Sequence, residues 1–177
     1  MISLGLDLSL TGTGVVRMDE KGEFTSRLIK SKPVGPLPID ELKRLRGIVH
    51  MIEGFAPLRE VDLVLIEGLA FSIRNTTSLV QLSALNYLVR NRLYKMDVDF
   101  VIVGPTTLKK FVSGKGNTKK DGMMLETYKR WGVSFSSNDL CDAHGMARLG
   151  QILKSKSRGD LPKFQEEVVN LLSVQLT

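Results

Sequence analysis

The chain has 177 residues, enough for one domain with a good buried core. Apolar residues make up 42% and charged residues 25%, an ordinary soluble globular composition with no internal repeat or low-complexity tract. No apolar run approaches the ~18 residues that would cross a membrane, and Cys141, the single cysteine, excludes an internal disulfide and a cysteine-based zinc site. The N-terminus has no basic segment ahead of its first apolar run, so no signal peptide is read, and a reducing, cytoplasmic or otherwise intracellular setting is expected. The net charge is +6, which points to a polyanionic partner. Most of that excess sits between Pro105 and Arg130, where seven cations face two anions. A solvated helix face is the plain alternative for such a stretch.

In chain order, Ile2 to Leu8 is a short apolar run, and Gly12 to Met18 and Phe24 to Ser31 read as two further strands, with Lys21-Gly22 as a hairpin turn. Prolines 33, 36 and 38 mark a loop. Asp40 to Phe55 carries apolar residues at helical spacing. Val61 to Ile66 is continuously apolar, as in a strand covered on both faces. Asn75 can cap a helix reaching Lys95, and Phe100 to Val103 is a buried strand. Helices are predicted over Thr106 to Val112, Lys119 to Trp131 and, capped by Asn138, to Leu153. A polar linker, Ser155 to Asp160, leads to a last amphipathic helix over Leu161 to Val174. Three antiparallel strands followed by alternating helix and strand predict an α/β fold: a mixed five-stranded sheet with helices on both faces. Residues 1–177 are read as a single domain, with a core over about 1–153 and the C-terminal helix appended.

Four acids stand at informative places. Asp7 lies within the first apolar strand and Glu67 ends the buried one. Asp139 and Asp142, three residues apart, share one helix face at roughly 5–6 Å between Cβ atoms. A carboxylate in a buried strand is costly unless it is paired or binds a metal. Two on separate strands, with a same-face pair and no histidine or cysteine cluster, suggest an all-oxygen site suited to Mg²⁺, with Mn²⁺ as a substitute. Such a set can hold two ions about 3.5–4 Å apart, one activating a water and the other stabilising a leaving 3′ oxygen. For Asp139 and Asp142 alone, favourable charge in a helix's first turn is the simpler account.

Four segments, in order, resemble the RuvC family of Holliday-junction resolvases. They are Gly5-Leu6-Asp7-Leu8-Ser9-Leu10-Thr11-Gly12-Thr13-Gly14, then Ile66-Glu67, then Val112-Ser113-Gly114-Lys115-Gly116-Asn117-Thr118-Lys119-Lys120, and Asn138-Asp139-Leu140-Cys141-Asp142-Ala143. The resemblance implies an RNase H-like fold of the retroviral-integrase superfamily. It implies an Mg²⁺-dependent endonuclease that cuts branched DNA, here four-way junctions, by paired symmetric nicks leaving 5′ phosphates, in recombination and repair. It makes Asp7, Glu67, Asp139 and Asp142 the metal ligands and places Lys109 and Lys120 near the scissile phosphate. Lys115 and Lys119 join the DNA contacts, whereas Lys110 and Lys129 read as solvated. Phe71 would press on bases at the crossover, although it lies one residue further from Glu67 than the family places its aromatic. A core phenylalanine is the alternative. Arg74, Asn75 and Thr76 could bind phosphate at a helix N-terminus. The helix from Asn75 to Lys95 would form a homodimer interface, with Leu82, Tyr87 and Leu93 as candidates. A phage or viral relative is favoured over a bacterial one.

The chain departs from the family at His144, which follows the last acid by two residues and points away from the acid pair. The resemblance does not place the final helix. Three other functions compete. The Asp7 to Gly14 segment is similar to the first phosphate loop of actin-like and sugar-kinase ATPases. A catalytically silent junction-binding protein could share the fold, and so could a nuclease acting on forks or RNA–DNA hybrids.

Overall fold

A computed structural model describes residues 1–69, 76–155 and 159–176. Its strands are β1 (Ser3–Asp7), β2 (Gly12–Met18), β3 (Phe24–Lys30), β4 (Leu63–Glu67) and β5 (Phe100–Val103). Its helices are α1 (Pro38–Phe55), α2 (Thr76–Lys95), α3 (Pro105–Ser113), α4 (Lys120–Trp131), α5 (Asn138–Lys154) and α6 (Lys163–Ser173). The sheet order is β3-β2-β1-β4-β5, with β1, β2 and β3 antiparallel and β1, β4 and β5 parallel. This is the mixed five-stranded sheet that the element order predicts.

Strand side chains alternate between two cores. Leu4, Leu6, Val15, Val64 and Ile66 pack with α1 and α2. On the other face Leu63, Leu65, Val101 and Val103 meet α3, α5 and α6. Period two therefore puts Asp7 and Glu67 on the α5 face, in line with Ser3 and Gly5 on β1 and with Leu63 and Leu65 on β4. Helix α6 belongs to this core: Val168, Val169 and Leu172 are buried in it.

Element ends differ from the sequence reading for local reasons. Helix α1 starts two residues early because Pro38 is compatible with a first helical turn, and the Asp40 carboxylate accepts the Leu37 N–H at 3.3 Å. Strand β4 starts at Leu63, since Leu58–Glu60 forms one 3-10 turn that delays it. Helix α6 starts after Pro162 and ends at Ser173, where a 3-10 turn takes over. The Lys21-Gly22 turn forms as expected, with Gly22 at φ +82°.

Candidate active site at the end of the sheet

Four carboxylates gather where β1 and β4 end. Pairing of Leu6 with Ile66 places Asp7 beside Glu67 on neighbouring parallel strands, and their side chains share a hydrogen bond. Helix α5 brings Asp139 and Asp142 to the same place, which requires the helix to lie unusually close to the sheet. A Cβ at Gly5 would fall 2.0 Å from the Ala143 carbonyl oxygen, and one at Gly14 would fall 2.1 Å from that of Asp139. Glycine is thus needed at both positions by close approach. Three further bonds fasten the helix down: Ser3 Oγ donates to Ala147 O at 2.8 Å, and Gln151 Nε2 donates to Ser3 Oγ and Met18 O, both at 3.0 Å.

The turn after Asp7 is closed on itself. The amides of Thr11 and Gly12 donate to Ser9 Oγ and the Ser9 amide to Thr13 Oγ1, at 3.1–3.4 Å. Arg44 on α1 pins it from outside through Leu10 O and Ser31 Oγ. Those amides are engaged inside the turn, and Gly14 is filled by α5, so this segment is no phosphate cradle of the ATPase kind. Gly14 serves helix packing.

The site is electrostatically strained. Burial, then the charge of Glu67 and the hydrogen bond with it, hold Asp7 well above the usual carboxylate range. Glu67 is also raised by burial, against the pull of the bond from Asp7 and of Lys109 and Lys120. Both carboxyls are therefore held above the ordinary carboxylate range, Asp7 the more strongly. Asp142 is pushed up to about 7 by burial and by the charges of Glu67 and Asp139. Lys109 on α3 and Lys120 at the start of α4 oppose these shifts. The structure thus brings both lysines within electrostatic reach of the acids.

As they stand, no three histidine, cysteine or acidic side chains among the described residues form a ready-made metal cage. The donor chemistry nevertheless fits a hard divalent cation. All four groups are carboxylates, and three are raised in pKa by burial and mutual repulsion, which a cation would relieve.

The remaining sequence candidates divide. Lys115 and Lys119 are exposed around the glycine-rich loop, where Ser113 Oγ lies 2.6 Å from Thr118 Oγ1. Lys110 and Lys129 pair with Glu167 and Glu126, at 2.6 and 3.1 Å, in keeping with a solvated role. Thr76 is exposed at the start of α2; Phe71, Arg74 and Asn75 lie outside the described residues. On α2, Leu93 is fully buried in the α1-side core and Leu82 packs against that core, so Leu93 is no interface residue. Tyr87 is 64% exposed. His144 does point away from the acids, into a cage of Phe24, Trp131 and Phe135 with ring centroids 5.0–5.4 Å away. Burial lowers its pKa to about 3.

Two contacts near the acids escaped the sequence reading. The cap of α5 is Ser137, one residue before the expected Asn138, because its hydroxyl reaches the Asp139 amide. Asn86 on α2 is buried and donates to the Glu67 carbonyl at 3.4 Å. A serine four residues ahead of a buried helix stretch signals the first; nothing in the sequence signals the second.

The fold so defined is RNase H-like, of the kind found in RuvC-type resolvases. Thermus thermophilus RuvC in complex with a Holliday-junction substrate superposes with a TM-score of 0.68 at 16% identity, over 86% of this chain and 94% of that one. A second Thermus thermophilus RuvC structure gives 0.59 at 19% identity, over 86% and 95%. The fowlpox virus Holliday-junction resolvase gives 0.47 at 11% identity, over 85% and 98%. No protein-family model and no curated protein sequence matches the chain. Among the described residues no helix is long and apolar enough to cross a membrane.

Proposed function

We propose that the protein is a divalent-metal-dependent endonuclease that resolves four-way DNA junctions. The observation that carries this reading is the cluster of Asp7, Glu67, Asp139 and Asp142 with Lys109 and Lys120 facing it. The likeness in fold to a RuvC solved with its junction supports the choice of substrate.

Asp7, Glu67, Asp139 and Asp142 would hold the metal, with Mg²⁺ native and Mn²⁺ a substitute. A divalent cation held by these residues would supply activation of a water and stabilisation of the leaving 3′ oxygen. The acids must be deprotonated to bind, so the raised values of Asp7 and Asp142 make metal affinity rise with pH. Lys109 and Lys120, whose charges act on the acids, would neutralise the developing charge of a phosphate brought to them. Lys115 and Lys119, with Arg74, Asn75 and Thr76, would hold the backbone on either side. Phe71 would stack at the crossover. Hydrolysis leaves a 5′ phosphate and a 3′ hydroxyl.

Symmetric cutting needs two sites related by a two-fold axis. The α1–α2 face supplies a surface for a second copy. Ile39, Leu42, Val80 and Tyr87 are 43–64% exposed there, beside a cavity of about 360 Å³ lined by Pro38, Leu42, Ala84 and Tyr87.

The test is cleavage of a labelled four-way junction in Mg²⁺, with Asp7→Asn alongside. Paired nicks that vanish in the variant, with junction binding kept, are expected. No cleavage in either Mg²⁺ or Mn²⁺ sinks the reading in favour of a silent junction binder. Fork and RNA–DNA hybrid substrates in the same assay rank the substrates.

A further inference from the structure

We infer that Ser137 is a positioning residue for Asp139, orienting its carboxylate toward a cation through a hydrogen bond to one of its oxygens. The inference rests on the metal-dependent reading above. Ser137 has extended backbone geometry, φ −136° and ψ 138°, at the N-cap of α5. Its hydroxyl oxygen accepts the Asp139 N–H at 3.2 Å, which is the ordinary duty of a capping serine. The same hydroxyl donates its proton to Asp139 Oδ2 at 3.0 Å. A cap needs only the first of these bonds.

The two bonds together clamp one residue by its backbone and its side chain. They fix the Asp139 carboxylate against rotation about its side-chain torsions. On the other side, Oδ2 lies 3.5 Å from the position a Cβ would take on Gly12. Oδ2 is therefore bonded by the serine hydroxyl and turned toward the start of β2. Oδ1 has no hydrogen bond to the protein among the described residues. Asp139 is thus presented in one defined orientation, and a neighbour that orients a ligand in this way commonly contributes roughly 10-fold or more to metal affinity.

The capping and positioning roles can be separated. Glycine is a tolerated N-cap without a hydroxyl, and threonine is a cap that keeps one. Mn²⁺ binding, followed by electron paramagnetic resonance of the free ion, would be measured for wild type, Ser137→Gly, Ser137→Ala and Ser137→Thr, with urea denaturation reporting the fold of each. The expected result is binding weakened about 10-fold in the glycine and alanine variants and restored in the threonine variant, all four remaining folded. Wild-type affinity in a folded glycine or alanine variant overturns the inference and leaves the nuclease reading standing. Equal weakening in all three variants also overturns it, because the hydroxyl would not be the cause. Absence of Mn²⁺ binding by wild type overturns both. Two variants lacking the donor keep the test decisive if one of them fails to fold.

Discussion

Helices α5 and α2 are of similar length, 17 and 20 residues, and both lie against the sheet, yet they use their surfaces in opposite ways. Helix α5 is covered almost all round. Cys141, Ala143 through Ala147, Leu149, Gly150 and Leu153 are all buried, because the sheet lies on one side and α3, α4 and α6 on the others. Helix α2 buries only Leu85, Asn86, Val89 and Leu93 and leaves Val80, Tyr87 and Tyr94 at 61–80% exposure. The apolar surface of α5 is consumed within the chain, whereas α2 holds a surplus. One helix is locked in place by packing on most of its surface; the other keeps apolar side chains exposed.

The largest expected effect comes from prising α5 off the sheet. Gly5→Ala would drive a methyl group into the Ala143 carbonyl, and we expect a loss of about 3 kcal/mol or more, or failure to fold, in urea denaturation. Gly47→Ala on α1, where nothing lies within 4 Å, is the matched control and should gain about 0.5–1 kcal/mol. A mild effect at Gly5 would show that α5 does not need its close seat.

Next in size is the pH response of the acids that α5 carries. The folded value of Asp142, about 7, lies above its ordinary 3.8. From pH 4 to 7 the unfolded chain releases this proton first, so the folded state holds more protons and stability falls as pH rises through that window. The size is up to a few kcal/mol. Asp142→Asn should flatten this slope in thermal melts, and Mg²⁺ should raise the melting temperature most at the upper end of the window. His144, on the same helix, works in the other direction. Its value falls from an ordinary 6.5 to about 3, so it contributes stability above pH 6.5 that is lost on acidification. His144→Phe should remove that acid-side loss. Among the described residues neither ring nitrogen of His144 has a hydrogen-bond partner, so the substitution loses no bond and should cost at pH 7 only the larger ring's packing, about 1–2 kcal/mol.

On α2 the expected effect on stability is smallest and the effect on assembly greatest. Tyr87→Asp should leave the urea midpoint within about 0.5 kcal/mol of wild type, yet halve the mass measured by light scattering, if a second copy covers this face. Leu93→Asp, two turns along the same helix, should unfold the protein because that side chain is fully buried. A wild-type protein that is already monomeric would show the exposed face to have another use.

Alternation and spacing alone reveal the strands, all six helices to within a few residues, and the four acids. Asp7 and Glu67 are legible because a charge in an otherwise apolar strand is costly and so conspicuous. Asp139 and Asp142 share a helix face by their spacing of three, but that spacing alone reads as helix-turn charge; only together with Asp7 and Glu67 does it point to a site. Close approach and long-range pairing are of another kind. That Gly5 and Gly14 exist to seat α5, that Lys109 and Lys120 face the acids while Lys110 pairs with Glu167, and that Leu93 looks inward while Tyr87 looks out depend on residues far apart in the chain. His144 shows the same limit: its spacing says that it leaves the acids, but only packing of Phe24, Trp131 and Phe135 from separate elements makes it a neutral core residue. A one-dimensional pattern records which face a residue takes on its own element. What stands opposite that face is decided when the elements pack.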